Sequence, residues 1–438
     1  LAWTNTKACI FKKNAKSDTD FVSIYFQILE NCEEGINMKE SRKGITAAAG
    51  FQTGAIHCGL RNNPQKKELA LIVSETPCTA AAVYTTNQVK AAPLLLNMQH
   101  LASGTAQAIT VNSGNANACA QNGAENALRQ AQAAAAKLGL KTEDVLVAST
   151  GVIGVELPIE KIEAGTEKIV LGYDSTDSAK AIMTTDTRVK EYAVEFELDG
   201  KTVYLGGIAK GSGMIHPNMG TMLCFLTSDA KIASPMLDKA LHDVVKKTFN
   251  RISVDGDTST NDMCIVLANG MAGNAEITEE NEDYAIFMQA LFDVMQKLAI
   301  AIAKDGEGAS RLITVEVRTA KTEEQAETLA RSVACSSLLK AAMFGKDANW
   351  GRVICAMGYS KAQFDPSLVS ISFASKNGEI LVCENGKGLD FDEDKALHIL
   401  EPDEIVILID LCEGKESATC WGCDLTYEYV HINGDYRS

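Results

Sequence analysis

Gly206–Asp229 reads GGIAKGSGMIHPNMGTMLCFLTSD. Asn218-Met219-Gly220 ends in glycine, and Thr221 opens the apolar stretch Met222–Leu226, which is expected to be a buried strand. A hydroxyl residue between a glycine and the mouth of a core strand suits a precursor that cleaves itself. The Thr221 hydroxyl attacks the Gly220 carbonyl, and glycine has no side chain to block the approach. Hydrolysis of the resulting ester leaves Thr221 as a new N-terminus. Its hydroxyl is then a nucleophile and its amine, with a reference pKa of roughly 7.7–8.0, a built-in base. The commoner alternative is a threonine that merely starts a strand.

The rest of the composition limits the function classes. A chain of 438 residues, 46% hydrophobic and 22% charged, can bury a large core. A net charge of −16 argues against a nucleic-acid or anionic-membrane partner. No apolar run approaches ~18 residues, so no transmembrane helix is expected. The thirteen cysteines are scattered and odd in number, which points to reduced thiols in a cytoplasmic protein. Cys420-Trp-Gly-Cys423 has neither a second pair nor a helix start to make it a metal or redox site. The six histidines are dispersed. Residues 1–42 do not match the pattern of the remaining chain and are expected to be a disordered or artefactual extension, with Met38 a candidate start.

From Gly44 the chain reads as mixed α and β. Leu69–Val73, Ala80–Tyr84, Ala108–Asn112 and Leu146–Ser149 are strand-like, and Ala124–Leu138 is a helix closed by Gly139. Val194–Leu198 and Val203–Leu205 flank the hairpin signal Asp199-Gly200. Ser234-Pro235 is expected to cap and start a helix. Glu280–Lys304 is a long amphipathic helix with Phe287, Leu291, Met295, Leu298 and Ile302 on its apolar stripe. A helix near Glu323–Met343 and strands at Ile313–Arg318, Leu368–Ala374, Glu379–Cys383 and Glu404–Leu411 complete the pattern. With β structure on both sides of Thr221, fragments 43–220 and 221–438 are expected to form one intertwined body.

Acyl transfer through Thr221 needs donors aimed at a tetrahedral oxyanion. Thr150-Gly151, at a strand end, can offer a hydroxyl and a backbone N–H to one point; an ordinary strand-to-loop turn is the alternative. Lys210, in a glycine-flanked loop, can hold a substrate carboxylate and depress the Thr221 amine by like charge. Glu307, between Gly306 and Gly308, can aim a carboxylate at the ammonium of an amino acid. Both are otherwise solvated loop residues. Asp255-Gly-Asp257-Thr-Ser-Thr-Asn261-Asp262 lacks the glycine and the final glutamate of a calcium loop; polar turn-making near the site is its expected task. No metal site, Walker motif, dinucleotide fingerprint or G-x-S-x-G elbow is present in the sequence.

Eight blocks in order resemble the ornithine acetyltransferase family, also called bifunctional glutamate N-acetyltransferase. They are VNSGNANAC (111–119), LVASTGVIG (146–154), IMTTDTR (182–188), KGSGMIHPNMGTML (210–223), NRISVDGDTSTND (250–262), KDGEGASR (304–311), DANWGRVICAMGYS (347–360) and the tail WGCDLTYEYVHINGDYRS. The resemblance implies an α+β fold of αββα layers. It implies cleavage between Gly220 and Thr221, an oxyanion hole at Thr150 and Gly151, and substrate contacts at Thr184, Lys210, Thr221, Glu307, Asn433 and Ser438. It further implies acetyl transfer from N2-acetyl-L-ornithine to L-glutamate in arginine biosynthesis, without a cofactor, by a heterotetramer of two copies of each fragment. Acetyl-CoA is an optional co-substrate of the family. Gly220 replaces the family's usual alanine, and Ser438 replaces its usual threonine while keeping the hydroxyl. Two rivals stand beside this. A related self-processing aminopeptidase or amidase would pass the acyl group to water; an uncleaved assembly protein would keep Thr221 as a plain strand residue.

Overall fold

The computed structural model describes residues 38–41, 43–216 and 222–435. In chain order the strands are β1 (Lys39–Ser41), β2 (Phe51–Ile56), β3 (Leu69–Tyr84), β4 (Thr105–Asn115), β5 (Val145–Val152), β6 (Lys190–Leu198), β7 (Lys201–Lys210), β8 (Leu223–Ser228), β9 (Ile252–Ser253), β10 (Met263–Ala268), β11 (Leu312–Ala320), β12 (Ser370–Ser375), β13 (Gly378–Glu384), β14 (Lys387–Gly388), β15 (Glu404–Asp410) and β16 (Glu416–Cys423). The helices are α1 (Ala92–His100), α2 (Gly123–Leu138), α3 (Ile159–Lys168), α4 (Ser175–Ala181), α5 (Ser234–Lys247), α6 (Glu282–Lys304), α7 (Glu323–Ala334), α8 (Ser337–Phe344), α9 (Trp350–Gly358), α10 (Glu393–Ile399) and α11 (Tyr427–Asp435).

The chain forms two compact units. The larger takes the described residues up to Ala309 and regains the chain at Tyr427. Its organising element is β3, sixteen residues long, whose pairing with β4 shifts register between Val73 and Cys78. The first half of β3 carries β2, β4 and, beyond β4, β5; the second half carries β10, then β8, β7, β6 and β1. The bend lays the two halves face to face. One core joins Ile72, Ile109, Val111 and Leu146 of the first half to Ile208, Leu223, Phe225, Met263 and Ile265 of the second. On the outer face of the first half, Leu71, Ala108 and Val147 meet Ala131 and Ala134 of α2 and Ile162 of α3. On the outer face of the second half lie α5 and α6. The layers are therefore helix, sheet, sheet, helix, the α+β αββα order. Strands covered on both faces read as unbroken apolar runs, which is why Met263–Ala268 is buried throughout.

Helix α6 is, by length and composition alone, long and apolar enough to cross a membrane. Its apolar stripe is instead covered by β6 and β7, with Phe287, Leu291, Met295 and Leu298 buried. The Leu298 side chain reaches the strands where Gly207 leaves room beside Leu226. Leu298→Ala is expected to cost about 2–5 kcal/mol, read as a lowered midpoint in a thermal melt.

The smaller unit, Ser310–Thr426, orders its strands β14-β13-β12-β15-β11-β16. β11 runs parallel to β15 and antiparallel to β16. Helix α7 lies on β11 and β16 and contributes Ala326, Leu329 and Val333 to that unit's core.

Several expectations need correction. Leu69–Val73 and Ala80–Tyr84 are two halves of one bent strand. The helix expected over Glu323–Met343 breaks at Cys335-Ser336, where the Ser336 side chain caps α8 by accepting from Leu339 N. Ala233, not Ser234, occupies the cap position of α5, with Pro235 in the first turn. The extension expected over 1–42 is structured at its inner end: Lys39–Ser41 pair with Ala193–Glu195. The compact units divide at Ser310, and the 220/221 junction falls inside the larger one, between β7 and β8, which pair with each other.

Candidate active site

The antiparallel register of β7 and β8 sets Lys210 opposite Leu223. Parallel pairing sets Met263 beside Leu223, and the Met263 amide donates to Met222 O at 3.0 Å. Gly220 and Thr221 lie outside the described residues, as does Ser438. The chain just ahead of 217–221 is anchored by Asp255. Its carboxylate accepts from the amides of Met214 (2.6 Å) and Ile215 (2.8 Å), and Val254 N donates to Ile215 O at 2.7 Å. Burial raises the Asp255 pKa against the pull of those amides. The DGDTSTND segment thus makes turns at the head of β8.

Its other end reaches the first sheet half. Asn261, two residues before Met263, donates through Nδ2 to Ala116 O at 2.6 Å and to Ser149 O at 2.8 Å. Ser149 immediately precedes Thr150-Gly151, the expected oxyanion pair. That strand end and the head of β8, separated by several strands in the sheet order, are therefore joined by one buried amide. Gly151 has φ +136° and lies level with Gly114 of β4.

Beside Lys210 is a buried ion cluster. Lys190 Nζ lies 2.8 Å from Asp186 Oδ1 and 2.6 Å from Asp305 Oδ2. The other oxygen of Asp186 is 3.9 Å from Lys210 Nζ and accepts from Thr184 N at 3.0 Å. Gly211 N donates to Asp186 Oδ1 at 2.7 Å. Burial would raise the Asp186 pKa, but Lys210, Lys190 and the Gly211 amide together hold its carboxyl well below the usual carboxylate range. Burial pushes the Lys210 ammonium below the usual lysine range; Asp186 opposes the shift and Lys190 adds to it. Thr184 and Asp186 line a cavity of about 410 Å³ that also exposes Arg61, Lys66, Lys67 and Lys180.

Glu307 follows two residues after Asp305. Its amide donates to Ser212 O at 2.9 Å, and its carboxylate lies against Gly213. Asn433 of α11 donates through Nδ2 to Glu307 Oε2 at 2.8 Å. The tail expected only to tuck in is thus a helix, packed on the backbone of Gly308. Burial, reinforced by Asp255 and Glu307, raises the Tyr429 pKa on the same helix. Thr184 and Lys210 are thus linked through Asp186, Asn433 is linked to Glu307, whose amide bonds Ser212 two residues after Lys210, and Thr150-Gly151 is tied to the head of β8. Asp186, Lys190 and the bridging role of Asn261 were not legible as site features. Asp186 and Asn261 sit inside family-like blocks, but a lysine in a strand gives no signal of burial.

A model of the ArgJ family matches residues 52–438. The chain belongs to the ArgJ family. Curated ArgJ relatives are similar over their full length. The arginine biosynthesis bifunctional protein ArgJ 1 of Clostridium acetobutylicum is 52% identical over 402 residues, 91% of this chain and 98% of that protein. ArgJ of Thermotoga neapolitana is 51% identical over 394 residues, 89% of this chain and 99% of that protein. Among solved structures, the ornithine acetyltransferase of Mycobacterium tuberculosis, complexed with ornithine, is 36% identical; the match covers 42% of this chain and 100% of that one, with a TM-score of 0.38. As an ArgJ protein the chain is an acyltransferase of arginine biosynthesis.

Proposed function

We propose that this ArgJ protein cleaves itself between Gly220 and Thr221 and then transfers an acetyl group from N2-acetyl-L-ornithine to L-glutamate through acetyl-Thr221. The Thr221 hydroxyl, deprotonated by its own amine, attacks the acetyl carbonyl. Thr150 Oγ1 and Gly151 N–H hold the oxyanion. The amine returns its proton to ornithine as the C–N bond breaks. Glutamate then attacks the ester through its amine, N-acetylglutamate leaves, and the Thr221 hydroxyl is restored. Lys210 holds the substrate carboxylate, Glu307 faces the ammonium of ornithine, and Thr184, Asn433 and Ser438 complete the pocket. The acetyl group is recycled, so no cofactor is required; acetyl-CoA is an alternative donor. The cleaved fragments remain together as a heterotetramer in the cytoplasm, where the eleven free cysteines among the described residues stay reduced.

The observation that carries this function is the meeting of Lys210, at the end of β7, with the head of β8, to which Asn261 ties Thr150-Gly151. The test is N-terminal sequencing of the fragments, combined with an acetylornithine-plus-glutamate assay. A fragment beginning at Thr221 and formation of N-acetylglutamate are expected. Hydrolysis of acyl substrates without transfer to glutamate would favour an amidase.

Asn433 makes its own prediction. It fixes Glu307 from an exposed position, so Asn433→Ala is expected to raise the KM for acetylornithine about tenfold, the size of one hydrogen bond to a charged group. The melting temperature should not move. An unchanged KM would remove Asn433 from the site.

A further inference from the structure

Lys190 is the most completely enclosed cation of this site: its side chain is 1% exposed. Its ammonium bridges Asp186 and Asp305 and also donates to Arg188 O at 3.3 Å. Each carboxylate is in turn a hub. Asp186 gathers the amides of Thr184 and Gly211. Asp305 takes the amides of Thr187 (3.0 Å) and Arg188 (3.2 Å) and the Thr187 hydroxyl. The Asp305 carbonyl accepts from Ser212 Oγ at 2.6 Å. One ammonium therefore ties together three loops, 184–188, 210–213 and 305–308, which carry Thr184, Lys210 and Glu307.

The distances within the cluster are unequal. Asp186 lies 2.8 Å from Lys190 but 3.9 Å from Lys210. Lys190 donates a hydrogen bond to Asp186 Oδ1, whereas Lys210 meets Asp186 Oδ2 only as a long ion pair. We infer that Lys190 is a positioning residue that withholds Asp186 from Lys210, so that the Lys210 ammonium stays available to the substrate carboxylate. The groups that bear on the charge of Lys210 are Asp186, Lys190, Asp262 and Glu307. Among them Lys190 is the cation, and removing it gives Asp186 to Lys210. A Lys210 neutralised by a close carboxylate binds a second carboxylate poorly, and its own proton is held more tightly.

The test compares Lys190→Met, Asp186→Asn and the double variant, measuring KM for acetylornithine and for glutamate and the pH profile of kcat/KM. In Lys190→Met both KM values are expected to rise about tenfold or more, and the alkaline limb to move to higher pH. In Asp186→Asn, which keeps one acceptor oxygen for the loop amides, the alkaline limb moves to lower pH because Lys210 loses its nearest negative charge. In the double variant KM returns toward the wild-type value. Opposite movements of the limb are a signature that loosened packing would not give. Unchanged KM values in Lys190→Met, limbs that move in the same direction, or a double variant no better than Lys190→Met would overturn the role. If Lys190→Met does not fold, Lys190→Gln, which removes the charge but keeps a hydrogen-bond donor for the two carboxylates, is measured in its place against the same outcomes. The role presupposes the acetyl transfer proposed above, so the wild type is assayed first: no transfer by the wild type sinks that function, whereas an active wild type with unaltered variants sinks only the role of Lys190.

Discussion

Thr221→Ala is expected to run as a single band near 46.9 kDa under denaturing conditions and to transfer no acetyl group. The wild type is expected to run as two fragments. The substitution removes the hydroxyl that attacks Gly220 and the same hydroxyl that carries the acetyl group, so cleavage and transfer must be lost together. Loss of a covalent nucleophile typically costs on the order of 10⁴–10⁶ in kcat, the residue being catalysis by the remaining oxyanion donors and binding groups. Thr221→Ser separates the two roles. Serine keeps the hydroxyl and the amine, so processing and transfer persist at reduced rate. The fold should survive in both variants, because the pairing of β7 and β8, from Leu205 opposite Ser228 to Lys210 opposite Leu223, does not include residue 221. A Thr221→Ala protein that still yields two fragments, or that still acetylates glutamate, would contradict the mechanism outright. An acetyl label trapped on wild-type protein and mapped to another residue would do the same.

The parts of this molecule that were legible in its sequence are those with a local signature. The long stripe of Phe287, Leu291, Met295 and Leu298 announced α6 by its spacing, and the hydrophobic run after Thr221 announced β8. The bend in β3 had no such signature. A polar Ser74-Glu75-Thr76-Pro77 interruption reads as a loop between two strands, whereas the chain stays extended through it and only its register shifts. That misreading hid the feature on which the layering depends. The break at Cys335-Ser336 was hidden for the opposite reason: apolar spacing continues across α7 and α8, and only the Ser336 cap marks the interruption. At the site, glycine-flanked Lys210 and Glu307 stood out because glycine permits the sharp backbone turns that aim a side chain. Lys190 did not, since its burial depends on Asp186 and Asp305, the latter 115 residues away in sequence. Partners that distant leave no periodicity, only the paired carboxylates once the chain has folded.

The second large effect is expected at Gly151. With φ +136° its backbone lies in a region that L side chains rarely adopt. A Cβ there would fall 2.3 Å from the carbonyl carbon of Gly114 and 2.5 Å from the amide nitrogen of Asn115. Both are backbone atoms of β4, which cannot swing aside as a side-chain tip can. Gly151→Ala must therefore twist β5 or part it from β4, at about 1–3 kcal/mol for the strained backbone and about 1–3 kcal/mol for overpacking. The Gly151 N–H is displaced with it. Loss of one oxyanion donor costs about 10²–10³ in kcat, so Gly151→Ala should lose that much activity and also melt at lower temperature. Thr150→Ala separates the two effects. It deletes the neighbouring hydroxyl without moving the backbone, and should show a comparable fall in kcat with little change in melting. If Gly151→Ala keeps wild-type kcat despite a lowered melting temperature, the strand end is a structural turn and the oxyanion is held elsewhere. If Thr150→Ala also keeps full activity, neither residue of the pair meets the developing charge, and Asn261 serves only to join two sheet halves.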